Sequence, residues 1–125
     1  ADNSTTGASV PLTVTKVGTA GIVEAVQIKV TTTATKGTAT TGCTTTTDGC
    51  TGDIAIELTS PSGSKSILKN IKDGFDGFFL SGMVLASNAF YGETSTGTWT
   101  VKVVDGWGGS GNQTLTNVQI RVYGH

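Results

Sequence analysis

Apolar residues occupy every second position in several segments of the chain. In residues 54–59 they are Ile54, Ile56 and Leu58. Successive side chains of a β-strand point to opposite faces of the sheet, so this alternation predicts a strand with one buried and one wet face. The next residues, Ser-Pro-Ser-Gly at 60–63, predict a turn. Proline presets φ at the first central position, and glycine tolerates the positive φ that follows.

The same pattern predicts strands elsewhere. Residues 10–14 form a first strand, and Pro11 within it favours a sheet edge. After a turn at 18–21, residues 22–33 form a second strand with Val26, Ile28 and Val30 inward and Gln27, Lys29 and Thr31 outward. Further strands are predicted at residues 64–71, 99–105 and 115–123, and a Phe-rich segment lies at 75–80. The last two strands are expected to be the final pair, joined by a glycine-rich loop at 106–111.

These segments predict an all-β fold of seven or eight strands in two packed antiparallel sheets. No segment combines a 3.6-residue apolar period with helix caps, and the abundant threonine suits a pleated strand. We expect Ile56, Leu58, Trp99, Val101 and Val103 to point between the sheets. The 125 residues predict one domain at 10–125, preceded by a linker at 1–9. The abrupt start of the chain suggests an excised C-terminal module, with a signal peptide and a partner domain upstream.

Charge and hydropathy exclude two classes of partner. The formal net charge is −1 and the chain has no basic stripe, which argues against nucleic-acid binding. The chain contains no run of eighteen apolar residues, the length that would predict a membrane-spanning helix.

The two cysteines, Cys43 and Cys50, flank a short polar loop with no histidine nearby, whereas a zinc site needs four ligands. A disulfide is favoured over two free thiols, and it implies an oxidising compartment.

Independent catalysis is not expected from this chain. A Ser-His-Asp triad needs a histidine between nucleophile and carboxylate, and the only histidine is the terminal His125. Carboxylates are the more interesting group, because strand ends and loops can offer convergent oxygens to calcium. The candidate calcium ligands are Asp53, Asp73, Asp76, Glu93 and Asp105. Aspartate and glycine are also common turn residues, and this turn-forming role is favoured over calcium binding.

Two aromatic residues on predicted loops are candidate contact residues. Trp107 lies in the glycine-rich loop and Tyr91 in the segment Tyr-Gly-Glu, whereas Trp99 is in phase with the core of its strand. Either exposed ring could contact a sugar or pack on another domain. A carbohydrate- or surface-binding module of another extracellular enzyme is therefore an alternative function.

Several motifs resemble one known family. The block Gly-Asp-Ile-Ala-Ile-Glu-Leu-Thr-Ser-Pro-Ser-Gly-Ser at 52–64 is similar to a block of the P domain, also called Homo B, which follows the catalytic domain of kexin- and furin-type and many bacterial subtilisin-like proteases. The resemblance continues through Ser-Ile-Leu at 66–68, Tyr-Gly-Glu at 91–93, Gly-Thr-Trp-Thr-Val-Lys-Val-Val-Asp at 97–105 and the closing strand at 118–124. It covers roughly residues 50–125.

The resemblance implies a jelly-roll sandwich and an accessory role. A P domain is a non-catalytic C-terminal partner that packs against the subtilisin-like catalytic domain of the same polypeptide. It supports the folding and stability of that domain and can influence access of protein substrates. The family's His-Thr pair before Gly-Asp is Cys50-Thr51 here, and the tryptophan of its last strand is replaced at 117–118. These departures suit a secreted bacterial protease, in which calcium dependence is typical.

Overall fold

The computed structural model describes residues 4–15, 18–34, 54–69, 80, 82–105 and 113–125. These residues form seven β-strands and no helix. The strands are β1 (Ser4–Val14), β2 (Val23–Ala34), β3 (Ile54–Thr59), β4 (Lys65–Lys69), β5 (Met83–Ser87), β6 (Gly97–Asp105) and β7 (Gln113–Gly124). Across the same residues, nothing helical is long and apolar enough to cross a membrane.

The strands form two antiparallel sheets. One sheet has four strands in the order β1-β6-β3-β4, and the other has three in the order β5-β2-β7. Along the chain, every step between consecutive strands crosses from one sheet to the other, except the hairpin between β3 and β4. This crossing connectivity is that of a jelly roll. The predicted all-β, two-sheet jelly-roll sandwich is confirmed.

The fully buried core comes mainly from the strands that have a neighbour on both sides. Four of its side chains belong to β2, three to β3 and three to β6, and Leu80 and Phe90 complete it. The β2 residues predicted to point inward, Val26, Ile28 and Val30, are buried, and so are the five residues expected between the sheets. Edge strands contribute partly buried side chains such as Leu12 and Leu68. The alternation therefore predicted the central strands best.

Three features of the edges differ from the sequence expectation. β1 begins at Ser4, so residues 4–9, assigned to a linker, lie in a strand that pairs with β6. Backbone hydrogen bonds make this ladder, and they need no apolar alternation in the side chains. The strand β5 was not predicted. β6 and β7 are not a hairpin, because they lie in opposite sheets. The edge position of β1, predicted from Pro11, is confirmed.

Candidate functional site

The turn between β3 and β4 is closed by its own backbone. Gly63 N–H donates to the Ser60 carbonyl at 3.0 Å, and Ser60 N–H donates to the Ser64 carbonyl at 2.8 Å. Pro61 occupies the first central position of this turn, and Gly63 follows with φ of 96°. Both residues are therefore where their conformational preferences place them. The turn predicted for residues 60–63 is confirmed.

A second loop, residues 88–96, lies at the same end of the sandwich and is fixed to the start of β2. Gly92 N–H donates to the Val23 carbonyl at 2.8 Å, and Val23 N–H donates to the Glu93 carbonyl at 2.9 Å. Phe90 anchors the loop in the core, where its side chain is fully buried. Between these anchors Tyr91 is 70% exposed. The loop thus presents one aromatic ring to solvent on a backbone that is held on both sides.

The two loops meet in a serine–glutamate cluster made of Ser60, Ser62, Ser64 and Glu93. The Ser60 hydroxyl donates to Glu93 Oε1 at 2.7 Å, and the Ser62 hydroxyl donates to the same oxygen. Ser64 N–H donates to Ser60 Oγ at 3.2 Å. Hydrogen bonds to an ionised acceptor are stronger than those between neutral groups. The cluster therefore ties the β3–β4 turn to the Tyr91 loop.

The surroundings of Glu93 favour its charged form. Partial burial raises the pKa of this carboxyl, but the hydrogen bonds from Ser62, Ser60 and Ser64 together outweigh that effect and hold the pKa below its usual value. Because the pKa is lower in the folded chain than in the unfolded one, Glu93 stabilises the fold above the unfolded pKa. That contribution is lost as the pH falls through the folded pKa.

Glu93→Gln is therefore expected to flatten the acid side of the stability profile. The parent should lose stability as the pH falls below about 4.5, the usual glutamate value, and the variant should lose less of it. Thermal unfolding between pH 3 and 7 measures this difference. Glu57→Gln is the matched control, because Glu57 lies on β3, outside the serine–glutamate cluster, with its Oε1 3.9 Å from Lys65 Nζ. If both variants have the same acid profile as the parent, the cluster does not favour the charged carboxylate.

A third motif reaches the same end of the sandwich through Gly97, the first residue of β6. Its φ is 135°, and a Cβ at this position would lie 2.8 Å from Pro61 Cβ. Two residues further, the Trp99 indole N–H donates to the Ser95 carbonyl at 2.9 Å. The Trp99 ring also meets Phe90 edge to face, with centroids 5.1 Å apart. The motifs at 60–64, 91–93 and 97–99 are therefore one packed unit, although they are far apart in sequence.

Of the other residues predicted as calcium ligands, cysteine pair or contact residues, Asp105 alone lies within the described part of the chain. Asp105 ends β6, opposite to the end where Glu93 lies, and eight strand steps separate Gly97 from Asp105 by roughly 26 Å. Calcium binding by either residue stays a prediction. Within the described ranges, no group of three or more His, Cys, Asp or Glu side chains forms a metal site. The predicted disulfide and the other candidates lie outside the described residues: Cys43, Cys50, Asp53, Asp73, Asp76 and Trp107.

Sequence reasoning found Tyr91 and Glu93 but missed their partners. Ser60 and Ser62 were noted only as turn residues, and Phe90 was not singled out. The sequence did contain one signal for this contact, because the Ser-Pro-Ser-Gly turn and the Tyr-Gly-Glu segment both belong to motifs that resemble the P domain. Their contact spans more than thirty positions and has no periodic signature. Only the fold brings the hydroxyl donors to the carboxylate.

Comparison with protein-family models gives a match to the proprotein convertase P-domain over residues 23–122. This range begins with β2 and ends within β7, so it includes both loops of the serine–glutamate cluster. The matched residues make up well over half of the chain.

Known proteins agree with this match. The chain is 37% identical over 82 residues to the Aeromonas extracellular serine protease of Aeromonas sobria, covering 55% of this chain and 13% of that protein. It superposes on the serine protease of A. sobria crystallised with a chaperone with a TM-score of 0.74 and 25% identity, covering 100% of this chain and 24% of that one. A second crystal structure, of the A. sobria serine protease, gives a TM-score of 0.70 at 24% identity. The chain thus spans a quarter or less of these relatives.

Proposed function

The chain belongs to the proprotein convertase P-domain family, and from that premise we propose that it is a non-catalytic accessory domain of a secreted subtilisin-like serine protease. In this role it packs against the catalytic domain of the same polypeptide and raises the stability of that domain. One observation supports this contact above the others: Tyr91 is exposed, and its loop is held by Phe90 in the core and by the serine–glutamate cluster.

The geometry of Tyr91 supports a contact role in two ways. Its ring is large and mostly exposed, and aromatic residues are enriched among those that dominate binding energy at protein interfaces. The loop beneath it is tied to β2 and to the β3–β4 turn, so little conformational entropy is lost when the ring is covered. A preorganised aromatic residue of this kind stabilises a partner at low cost.

The lengths of the relatives support the larger assembly. This chain covers only 13% of the Aeromonas extracellular serine protease, which leaves ample length for a separate catalytic domain. The name of that relative also supports export of the protein that carries this domain. The only histidine of the chain, His125, contacts Glu24 at 2.8 Å and has no described hydrogen bond to a serine hydroxyl. Proteolysis would then belong to the rest of the polypeptide.

Tyr91→Ala in the full protease is expected to shorten the half-life of thermal inactivation severalfold. The isolated domain should keep its unfolding temperature, because surface truncations usually change stability by about 0.5 kcal/mol or less. The measurement compares inactivation of the parent protease, the Tyr91→Ala variant and a protease that lacks residues 1–125. A domain that binds only the folded catalytic domain stabilises it by mass action. The deletion should therefore have the largest effect.

Tyr123→Ala is the matched control for this experiment. Tyr123 is also an exposed tyrosine, but it lies within strand β7 and outside the 88–96 loop. Its truncation should leave the half-life of the protease unchanged. Equal half-lives for the parent and the deletion protein would refute the stabilising role. Equal half-lives for the parent and Tyr91→Ala, with a shorter one for the deletion, would place the contact on another face.

A further inference from the structure

The outward face of the β5-β2-β7 sheet carries a groove of about 590 Å³. Its polar lining comes from outward positions of β2 and β7, and one exposed aliphatic side chain, Val84, contributes from β5. This volume is within the range of about 300–1,000 Å³ that is typical of small-ligand sites. The described residues that line the groove are Gln27, Ile28, Lys29, Val84, Gln119, Ile120 and Arg121.

The strand register arranges cations and amides in alternation across this groove. Gln27 on β2 is opposite Arg121 on β7, and two positions along β2 Lys29 is opposite Gln119. Directly opposed side chains have Cβ atoms about 4.5–5.5 Å apart, and diagonal neighbours about 7–8 Å. Each cation therefore lies beside an amide that can donate and accept hydrogen bonds. The four polar heads form one compact patch.

Two of these side chains are oriented by their neighbours. Arg121 Nη1 donates to the Tyr123 hydroxyl at 3.4 Å, and that hydroxyl donates to Gln27 Oε1 at 3.3 Å. The hydrogen bond to Tyr123 raises the pKa of Arg121, whose guanidinium is charged in proteins in any case. The Tyr123 ring borders the patch and is partly exposed.

Lys29 lies beside β5, on the opposite side of the groove from Arg121. Its Cε would be 2.9 Å from a Cβ placed at Gly82, so the lysine stem lies directly over that glycine. Any larger residue there would displace the stem. The lysine stem therefore lies on the β5 side of the groove, where Lys29 pairs with Val84.

The groove is positively charged in a chain whose formal net charge is −1. Lys29 and Arg121 contribute two positive charges, and no carboxylate is present among the described residues that line the groove. Neither cation forms an ion pair with a described residue. A carboxylate ligand would therefore meet two cations without displacing a carboxylate of the described residues. Arginine in particular matches the geometry of a carboxylate with two parallel hydrogen bonds.

We propose that this groove binds a carboxylated oligosaccharide, with the sugar carboxylate between Arg121 and Lys29. Gln27 and Gln119 then hydrogen-bond the sugar hydroxyls, beside the Tyr123 hydroxyl that contacts Gln27. An acidic protein segment is the less favoured ligand, because the exposed lining is polar apart from Val84. Cores of protein interfaces are more apolar and depleted in charge. This site is separate from the Tyr91 end and does not depend on the proposed packing against a catalytic domain.

Calorimetric titration of the 125-residue chain with three probes tests the proposal. The probes are a hexamer of uronic acid, a neutral glucose hexamer and hexaglutamate. We expect binding of the uronate hexamer alone, weakening as salt is added. Arg121→Gln and Lys29→Gln should each reduce its affinity about tenfold or more, the loss expected for a hydrogen bond to a charged group.

Lys65→Gln is the matched control, since it removes one exposed lysine from β4 in the opposite sheet. This variant should bind the uronate hexamer like the parent, and the unfolding temperatures of all variants should be checked. Binding of hexaglutamate in place of the uronate would overturn the proposal in favour of a protein-docking face. Absence of uronate binding, equal binding of the neutral hexamer, or equal losses in all three variants would also overturn it.

Discussion

Replacement of Trp99 by alanine is expected to lower the free energy of unfolding by about 3–5 kcal/mol, the usual cost of truncating a buried aromatic residue. The side chain is fully buried on β6, one of the two inner strands of the four-stranded sheet. Its ring meets Phe90 edge to face at 5.1 Å. Its indole N–H also satisfies the Ser95 carbonyl, which would lose this partner. Total stabilities are typically about 5–15 kcal/mol, so this loss is a large share.

Chemical denaturation of the isolated chain measures the effect, with the midpoint and the slope fitted separately. Tyr91→Ala is the matched control, because it also removes an aromatic ring, but one that is 70% exposed. A double-mutant cycle with Phe90→Leu should give a coupling of about 0.5–1.5 kcal/mol for the edge-to-face pair. If Trp99→Ala unfolds at the same denaturant concentration as the control, Trp99 does not fill the space between the sheets.

The sequence predicted the inner strands well, for a physical reason. β2, β3 and β6 have neighbours on both sides and one face in the core, so every second residue must be apolar. The edges follow a weaker rule. Ser4–Ser9 in β1 needs only a backbone ladder, and β5 contains the consecutive apolar residues Met-Val-Leu-Ala. Neither segment shows a clear two-residue period, and both were missed.

The order of strands within the sheets could not be predicted from periodicity. Alternation says which face of a strand is buried, but it does not say which strand lies beside it. The expected pairing of β6 with β7 was wrong for this reason, since the chain crosses to the other sheet between them. The family resemblance supplied the jelly roll, which the pattern alone does not distinguish from other sandwiches.

The candidate sites show the same limit. Tyr91 and Glu93 were predicted from one motif, but the hydroxyl partners of Glu93 come from a turn more than thirty residues earlier. The groove on the β5-β2-β7 sheet was not anticipated, because Lys29 and Arg121 are conspicuous only once β2 and β7 are in register. Both sites are formed by residues that are distant in sequence, and the two-residue period does not show which of them meet.

Gly97→Ala is expected to lower the free energy of unfolding by about 2–6 kcal/mol, which combines about 1–3 kcal/mol of backbone strain with about 1–3 kcal/mol of overpacking. The φ of 135° at Gly97 is one that residues with a Cβ rarely adopt. The added methyl group would also lie 2.8 Å from Pro61 Cβ, and Pro61 is held in the closed β3–β4 turn. A shift of Pro61 would disturb the turn that carries Ser60 and Ser62, and with it the serine–glutamate cluster.

Gly63→Ala separates the two contributions. Gly63 also has a positive φ, 96°, but nothing lies within 4 Å of the position of its added Cβ. This control should therefore show the backbone strain alone, and its free energy of unfolding should exceed that of Gly97→Ala. Gly97→Ala should in addition loosen the turn, so the acid dependence due to Glu93 should shrink with it. Equal losses of unfolding free energy for the two variants would mean that the Pro61–Gly97 contact does not couple the β6 motif to the cluster. Glu93 and its serines would then hold this end of the sandwich without a contribution from Gly97.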